Sequence, residues 1–167
     1  IWCLQTTSDD GFIASGSSDS LSGNQAWIVK LDSSGNIQWQ KTYGGTSSYN
    51  VWFIQETSGG GYITAGDTST SNFDGLDIWV LKLDSAGNIQ WQKTYGGSLA
   101  DRALAIQPAA DGGYIVGGFT YSFGAGDSDV WILKLNSSGD AQWQKTFGGN
   151  SEDLVRSVQT LAGGFVF

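Results

Sequence analysis

Residues 31–45 read LDSSGNIQWQKTYGG, residues 83–97 read LDSAGNIQWQKTYGG, and residues 135–149 read LNSSGDAQWQKTFGG. The three copies stand 52 residues apart, and a fixed period of that size marks a propeller or solenoid built from one repeated unit. Working outward, a second tryptophan series precedes them: Trp27, Trp79 and Trp131 each open a W-[IV]-[VL]-K-L-[DN] segment. A third series, Gln5, Gln55, Gln107 and Gln159, follows an apolar residue and precedes a turn that leads into Gly-[FY]-[IV]. Its first step is two residues shorter than the others, which places a shorter loop in the first copy.

Each unit divides into four short segments of strand character, A to D, bounded by Gly, Asp, Ser and Asn. In the second copy they are expected at 51–56, 61–67, 78–84 and 88–95. Segment D alternates, which predicts Ile89, Trp91 and Tyr95 on one face and Gln90, Gln92 and Thr94 on the other. Segment C is apolar on both faces, with Trp79, Leu81 and Leu83 pointing one way and Ile78 and Val80 the other. Such a strand needs cover on both sides, as in a sheet sandwiched between two like sheets. Segment B carries small residues, Thr64-Ala65-Gly66 and Val116-Gly117-Gly118, which would suit strands converging on a common axis. Residues 99–107 alone would pass for a short helix, but register with 48–55 and 153–159 predicts strand A in all three.

The expected fold is therefore all-β: a β-propeller of four-stranded antiparallel blades, about three and a half in the 167 residues. A single propeller segment is expected over 1–167, with repeats at 1–50, 51–102 and 103–154 and a partial one at 155–167. An incomplete ring exposes strand edges and apolar faces. The chain is accordingly expected to belong to a longer polypeptide or to pair with a second copy into a seven-bladed ring. The absence of methionine and the start inside a repeat agree with a portion of something longer.

Composition narrows function. Glycine is abundant, at 25 residues, and charged residues make up only 14 %, which suits short strands and tight turns. A net charge of −8 with dispersed basic residues argues against binding a phosphate backbone. No histidine is present, which removes the commonest general base and the commonest zinc or copper ligand. The single cysteine, Cys3, cannot form an internal disulfide and reads as a small buried apolar group. No apolar run reaches the roughly 18 residues of a membrane span, and residues 1–4 lack the basic start of a signal peptide.

At LDSxGNIQW the chain resembles the quinoprotein-like propeller repeats, including those of outer-membrane assembly lipoproteins, whose blades carry an A-x-D-x-x-[TS]-G-x-x-x-W tryptophan-docking pattern. The matching positions are Asp32, Gly35 and Trp39; Asp84, Gly87 and Trp91; and Gly139 and Trp143, with Asn136 in place of the aspartate. It is more closely similar to the repeats of about 50 residues found in secreted bacterial and archaeal surface proteins. The resemblance implies an extracellular or cell-surface location and a structural role for Trp27, Trp39, Trp79, Trp91, Trp131 and Trp143. The period is longer than in quinoproteins, and neither a vicinal cysteine pair nor a charged cofactor cradle is seen, so no cofactor is expected.

Several residues invite a second reading. The turns 32–36 and 84–88 could begin a calcium loop, but they carry too few carboxylates, and a hairpin turn accounts for Asp, Gly and Asn. No metal is assigned. Asp74 with Asp77, Asp127 with Asp129, and Glu152 with Asp153 could serve a glycosidase, yet they read as exposed loop positions without a distinguishing pocket. Trp39, Trp91 and Trp143 could stack on sugars, but their repetition within an apolar strand favours packing between blades.

In an antiparallel A–D order, the B–C and D–A connections share one face and the A–B and C–D turns share the other. The C–D turns are near copies, whereas the B–C loops (17–25, 68–77, 120–129) and D–A loops (46–50, 98–102, 150–153) differ. Binding residues generally sit on loops held by a rigid scaffold. The variable face therefore supplies the candidate ligand-binding residues Tyr49, Phe73, Asp74, Asp77, Asp101, Tyr121, Phe123, Asp127 and Asp129. The expected function is a non-enzymatic structural or binding module making protein or glycan contacts. The alternative is a polysaccharide-acting enzyme that uses acidic residues.

Overall fold

A computed structural model of the chain describes residues 1–19, 24–69, 75–161 and 164–167. The described residues form strands and turns with no helix. Three four-stranded antiparallel sheets follow one another in sequence. Sheet 1 holds β1 (Cys3–Thr6), β2 (Phe12–Ser18), β3 (Gln25–Leu31) and β4 (Ile37–Tyr43). Sheet 2 holds β5 (Tyr49–Glu56), β6 (Tyr62–Ser69), β7 (Leu76–Leu83) and β8 (Ile89–Tyr95). Sheet 3 holds β9 (Asp101–Pro108), β10 (Tyr114–Thr120), β11 (Asp129–Leu135) and β12 (Ala141–Phe147). A two-stranded hairpin, β13 (Gln159–Leu161) with β14 (Gly164–Val166), completes the strand order.

The two-faced apolar strand does what its pattern predicts. Trp79, Leu81 and Leu83 of β7 pack with Ile13, Ala26, Ile28 and Tyr43 of sheet 1. From the opposite face of β7, Ile78 and Val80 pack with Ala103, Ile106, Tyr114 and Trp131 of sheet 3. Sheet 2 is thus buried on both sides, which is why β6 and β7 lack the polar alternation of a half-exposed strand. The first strands of the sheets approach one another, β1 against β5 and β5 against β9. Residues 101–108 are strand, not helix, because β10 pairs along the whole of β9.

Three expectations need correction. Ile89 does not share a face with Trp91 and Tyr95. Leu83 pairs with Ile89 while Lys82 pairs with Trp91, so the register shifts at Gln90, and a bulge of one residue turns its neighbours to opposite faces. Ile89 is 48 % exposed, whereas Trp91 and Tyr95 pack toward sheet 3. The fourth copy of strand A is not a strand over 153–158: pairing begins at Gln159, opposite a partner only three residues long. Val155 and Val158 are nevertheless buried, against Ala105, Ile115 and Ile132 of sheet 3.

The small residues of segment B also answer to a different neighbour. A Cβ on Gly66 would collide with the carbonyl of Asn50, and one on Gly118 with that of Arg102, where β5 and β9 bulge toward β6 and β10. Glycine there admits the bulged backbone of the same sheet.

On the turn edge of the sheets, long side chains of each fourth strand reach the next unit. Trp39 Nε1 donates to Ser85 O at 3.1 Å, and Trp91 Nε1 to Ser137 O at 3.1 Å. Tyr43 and Tyr95 donate their hydroxyls to Gly87 O and Gly139 O. Lys41 reaches Asn88 Oδ1 at 2.8 Å, and Lys93 pairs with Asp140. Gly87 and Gly139 hold φ of 74° and 79°, and a Cβ on either would fall within 3 Å of the indole above it. These turns close on themselves: Asp84 Oδ1 accepts from Asn88 N at 2.7 Å, and Oδ2 from Asn88 Nδ2 at 2.9 Å. Those bonds hold the Asp84 carboxyl below the usual carboxylate range, and they leave its oxygens committed to the turn.

Candidate functional site

The B–C and D–A loops do meet on one edge. Tyr49 N donates to Asn24 O and Asp153 N to Ser128 O, joining the A segments of the second and fourth units to the B–C loop of the preceding sheet, while Tyr121 N donates to Ala100 O within sheet 3. The opposite edge carries the A–B and C–D turns, which a lysine of each third strand ties together. Lys30 pairs with Asp9 and Lys134 with Asp111, while Lys82 has Thr57 Oγ1 at 3.1 Å in place of a carboxylate. Burial holds the Lys82 ammonium below its ordinary range.

The candidate residues of the loop edge fall into two groups. Tyr121 is exposed, packs edge-on against Phe119, and has its hydroxyl 3.5 Å from Glu152 Oε1. Phe123 is partly exposed over Trp131, with ring centroids 5.2 Å apart, and Asp127 is exposed nearby. Tyr49 is half-buried instead, its ring against Trp79 at 4.9 Å. Phe73 and Asp74 lie outside the described residues.

The acidic residues do not pair as sequence neighbours. Asp77 and Asp101 share the space beside Gly96, where a Cβ would collide with Asp77 Oδ1 and lie 2.9 Å from Asp101 Oδ2. Asp129 and Asp153 share the equivalent space beside Gly148, with Asp153 Oδ2 at 2.8 Å from that position and Asp129 Oδ1 closer still. Asp129, expected at an exposed loop position, is 2 % exposed, and Asp101 is 0 % exposed, because each opens a strand beneath the loops; Asp77 and Asp153 are half-buried. Burial, and then the charge of Asp101, push the Asp77 carboxyl upward.

No protein-family model and no curated protein matches the chain. The edge is therefore read from its own chemistry. Among the described residues, no three His, Cys, Asp or Glu side chains gather as a metal centre. Asp101 and Asp129 are closed to a substrate as large as a sugar ring, so neither is placed to act as general acid or base on a glycosidic bond.

A third buried carboxylate, Asp67, was not singled out by the sequence. It is fully buried at the end of β6 and accepts from Trp52 Nε1 at 2.6 Å and Asn50 Nδ2 at 2.9 Å, with Arg102 Nε of the next sheet at 3.4 Å. Its partners come from two sheets, so no single strand pattern announces it. A cavity lies away from the loop edge, on the turn side of sheet 3. Its walls include Ile115, Lys134, Trp143 and Phe165, where Trp143 stacks on Phe165.

Proposed function

We propose that the chain is a run of β-propeller blades in an extracellular or cell-surface protein, a non-enzymatic module that presents its loop edge for protein or glycan contact. The observation that carries this reading is the contrast between the two edges. Turn-edge contacts repeat from one interface to the next almost atom for atom, while the loop edge varies in sequence and carries the partly exposed rings of Tyr121 and Phe123. In this reading Trp39 and Trp91 are docking tryptophans that tie consecutive blades. The likeness to propeller repeats of bacterial and archaeal surface proteins agrees with it. The polysaccharide-acting alternative is less favoured, because one carboxylate of each pair, Asp101 or Asp129, is buried away from a sugar.

The open face of sheet 1 supports a neighbouring blade of the same kind. Gly35 has nothing within 4 Å of its Cβ position, where Gly87 and Gly139 each carry an indole. On sheet 1, Trp27 and Phe12 are only half-buried, whereas Trp79 and Tyr62 at the same places in sheet 2 are covered. We propose that another blade of this repeat, on the same polypeptide or a second copy, covers that face. A monodisperse 17.7 kDa monomer with full thermal cooperativity in analytical ultracentrifugation and melting would contradict the need for such a neighbour.

The binding role is tested by screening the chain against glycan arrays and intact cell surfaces, alongside Tyr121→Ala and Phe123→Ala. Binding that both substitutions weaken, with an unchanged circular-dichroism spectrum, is the expected result. Release of reducing sugars from a polysaccharide panel would instead favour the enzyme.

A further inference from the structure

The carboxylate pairs recur with the repeat. Asp77 is the second residue of the third strand of sheet 2 and Asp101 the first residue of sheet 3; Asp129 and Asp153 stand 52 residues later in the sequence, Asp129 opening β11 and Asp153 preceding the last hairpin. At the first interface both acids are absent together, replaced by Gln25 and Tyr49. There the tyrosine ring fills the space, lying against Gly44 with its Cγ 3.0 Å from where a Cβ would be. At the other two interfaces the same space is left to two carboxylates and a bare glycine, Gly96 or Gly148.

The hydrogen bonding at these pairs is incomplete. Asp101 Oδ2 accepts from Gly97 N at 2.9 Å and Ser122 Oγ at 2.7 Å, but Asp101 Oδ1 is buried with no partner. At the second pair, Asp129 Oδ2 accepts from Ala125 N at 2.8 Å and Asp153 Oδ2 from Gly149 N at 3.0 Å. The hydroxyl of Ser128, next to Asp129, is likewise buried without a partner. The ion pairs among the described residues engage Asp9, Asp67, Asp111 and Asp140, so no ammonium or guanidinium neutralises these four carboxylates. A buried carboxylate oxygen without a donor is costly, and two such groups in one space repel unless a proton or a cation lies between them.

We propose that each pair, Asp77 with Asp101 and Asp129 with Asp153, binds a hard divalent cation of the calcium class that bridges one sheet to the next unit. The donors are oxygen, two carboxylates in each pair, and calcium takes six to eight oxygen ligands where softer metals prefer nitrogen or sulfur. With so few charged ligands and water completing the shell, the affinity belongs to the weak class of extracellular calcium modules, on the order of 0.1 to 1 mM. The chain carries two such sites because the first interface has lost both acids at once.

The test uses the 167-residue chain in chelator and then in calcium up to about 10 mM, well above the weak-site range. Thermal unfolding is followed alongside tryptophan-sensitised terbium luminescence. The expected result is a melting temperature that climbs with calcium and two terbium ions bound per chain. Asp153→Asn, at a half-buried position, should leave one ion, and Asp101→Asn with Asp153→Asn should leave none and abolish the calcium-dependent shift. Terbium binding that persists unchanged in the double variant would overturn the assignment, because the ions would sit elsewhere. So would a wild-type melting temperature indifferent to calcium but raised by mild acid, the mark of a proton shared within each pair.

Discussion

The interface between sheets 1 and 2 and that between sheets 2 and 3 are alike at one end and different at the other. On the turn edge each has an indole on a glycine turn, a tyrosine hydroxyl on the glycine carbonyl, and a lysine on the Asn or Asp that closes the turn. On the loop edge, the first interface is closed by Gln25 and Tyr49, and the second by Asp77 and Asp101. A common scaffold therefore holds the sheets from one side and frees the other to change its chemistry, the division of labour that makes a repeated fold useful for binding.

The largest effect should come from breaking the shared end. Trp91→Ala removes a large ring packed against Gly139 and Tyr114 together with its hydrogen bond, and should cost about 3 to 5 kcal/mol in denaturant unfolding. Trp143→Ala should cost clearly less in the same assay, because among the described residues that indole stacks on Phe165 and is not held by a glycine turn as Trp91 is by Gly139. The next contrast lies in the turns themselves. Gly35→Ala and Gly87→Ala both force a left-handed residue, at about 1 to 2 kcal/mol. Gly87→Ala should exceed Gly35→Ala by about 1 kcal/mol, since only its Cβ meets an indole, 2.9 Å away at the nearest.

Much of this architecture was legible in the sequence. The 52-residue period, the two-faced apolar third strand and the near-identical turns predicted stacked four-stranded sheets with loops on one edge. What escaped was whatever depends on a single inserted residue or on two units meeting. The bulge at Gln90 leaves no trace in composition, yet it reverses Ile89. The carboxylates seemed to pair along the chain, but the start of a third strand faces the start of the next first strand, so Asp77 finds Asp101. Asp67 stayed unseen because its partners, Trp52 and Arg102, come from different sheets.

Smaller effects sharpen the comparison further. Gly59 holds the place that Asp9 and Asp111 hold in the other sheets, so Gly59→Asp should give Lys82 the carboxylate it lacks. The partly exposed partner limits the gain to about 0.5 kcal/mol, visible as a higher denaturation midpoint. The two ends should also respond to pH in opposite senses. Asp77, raised by burial and by Asp101, favours its protonated form in the fold. In chelator its contribution is present in acid and is lost as pH rises through its elevated pKa, and Asp77→Asn should flatten that slope. Asp111, lowered by its bond to Lys134, contributes above the ordinary carboxylate pKa and loses that contribution as pH falls through its depressed value. Unfolding midpoints between acid and neutral pH for wild type, Asp77→Asn and Asp111→Asn separate the two.

The central claim is that the turn edge bears the stability while the loop edge is free for a ligand, and one paired measurement tests it most directly. Tyr121→Ala removes an exposed ring and should shift the unfolding free energy by about 0.5 kcal/mol or less. Urea unfolding of Trp91→Ala and Tyr121→Ala side by side should then differ by several kcal/mol, on the order of the large-aromatic deletion cost. A near-neutral Trp91→Ala, or a Tyr121→Ala as damaging as Trp91→Ala, would contradict the account.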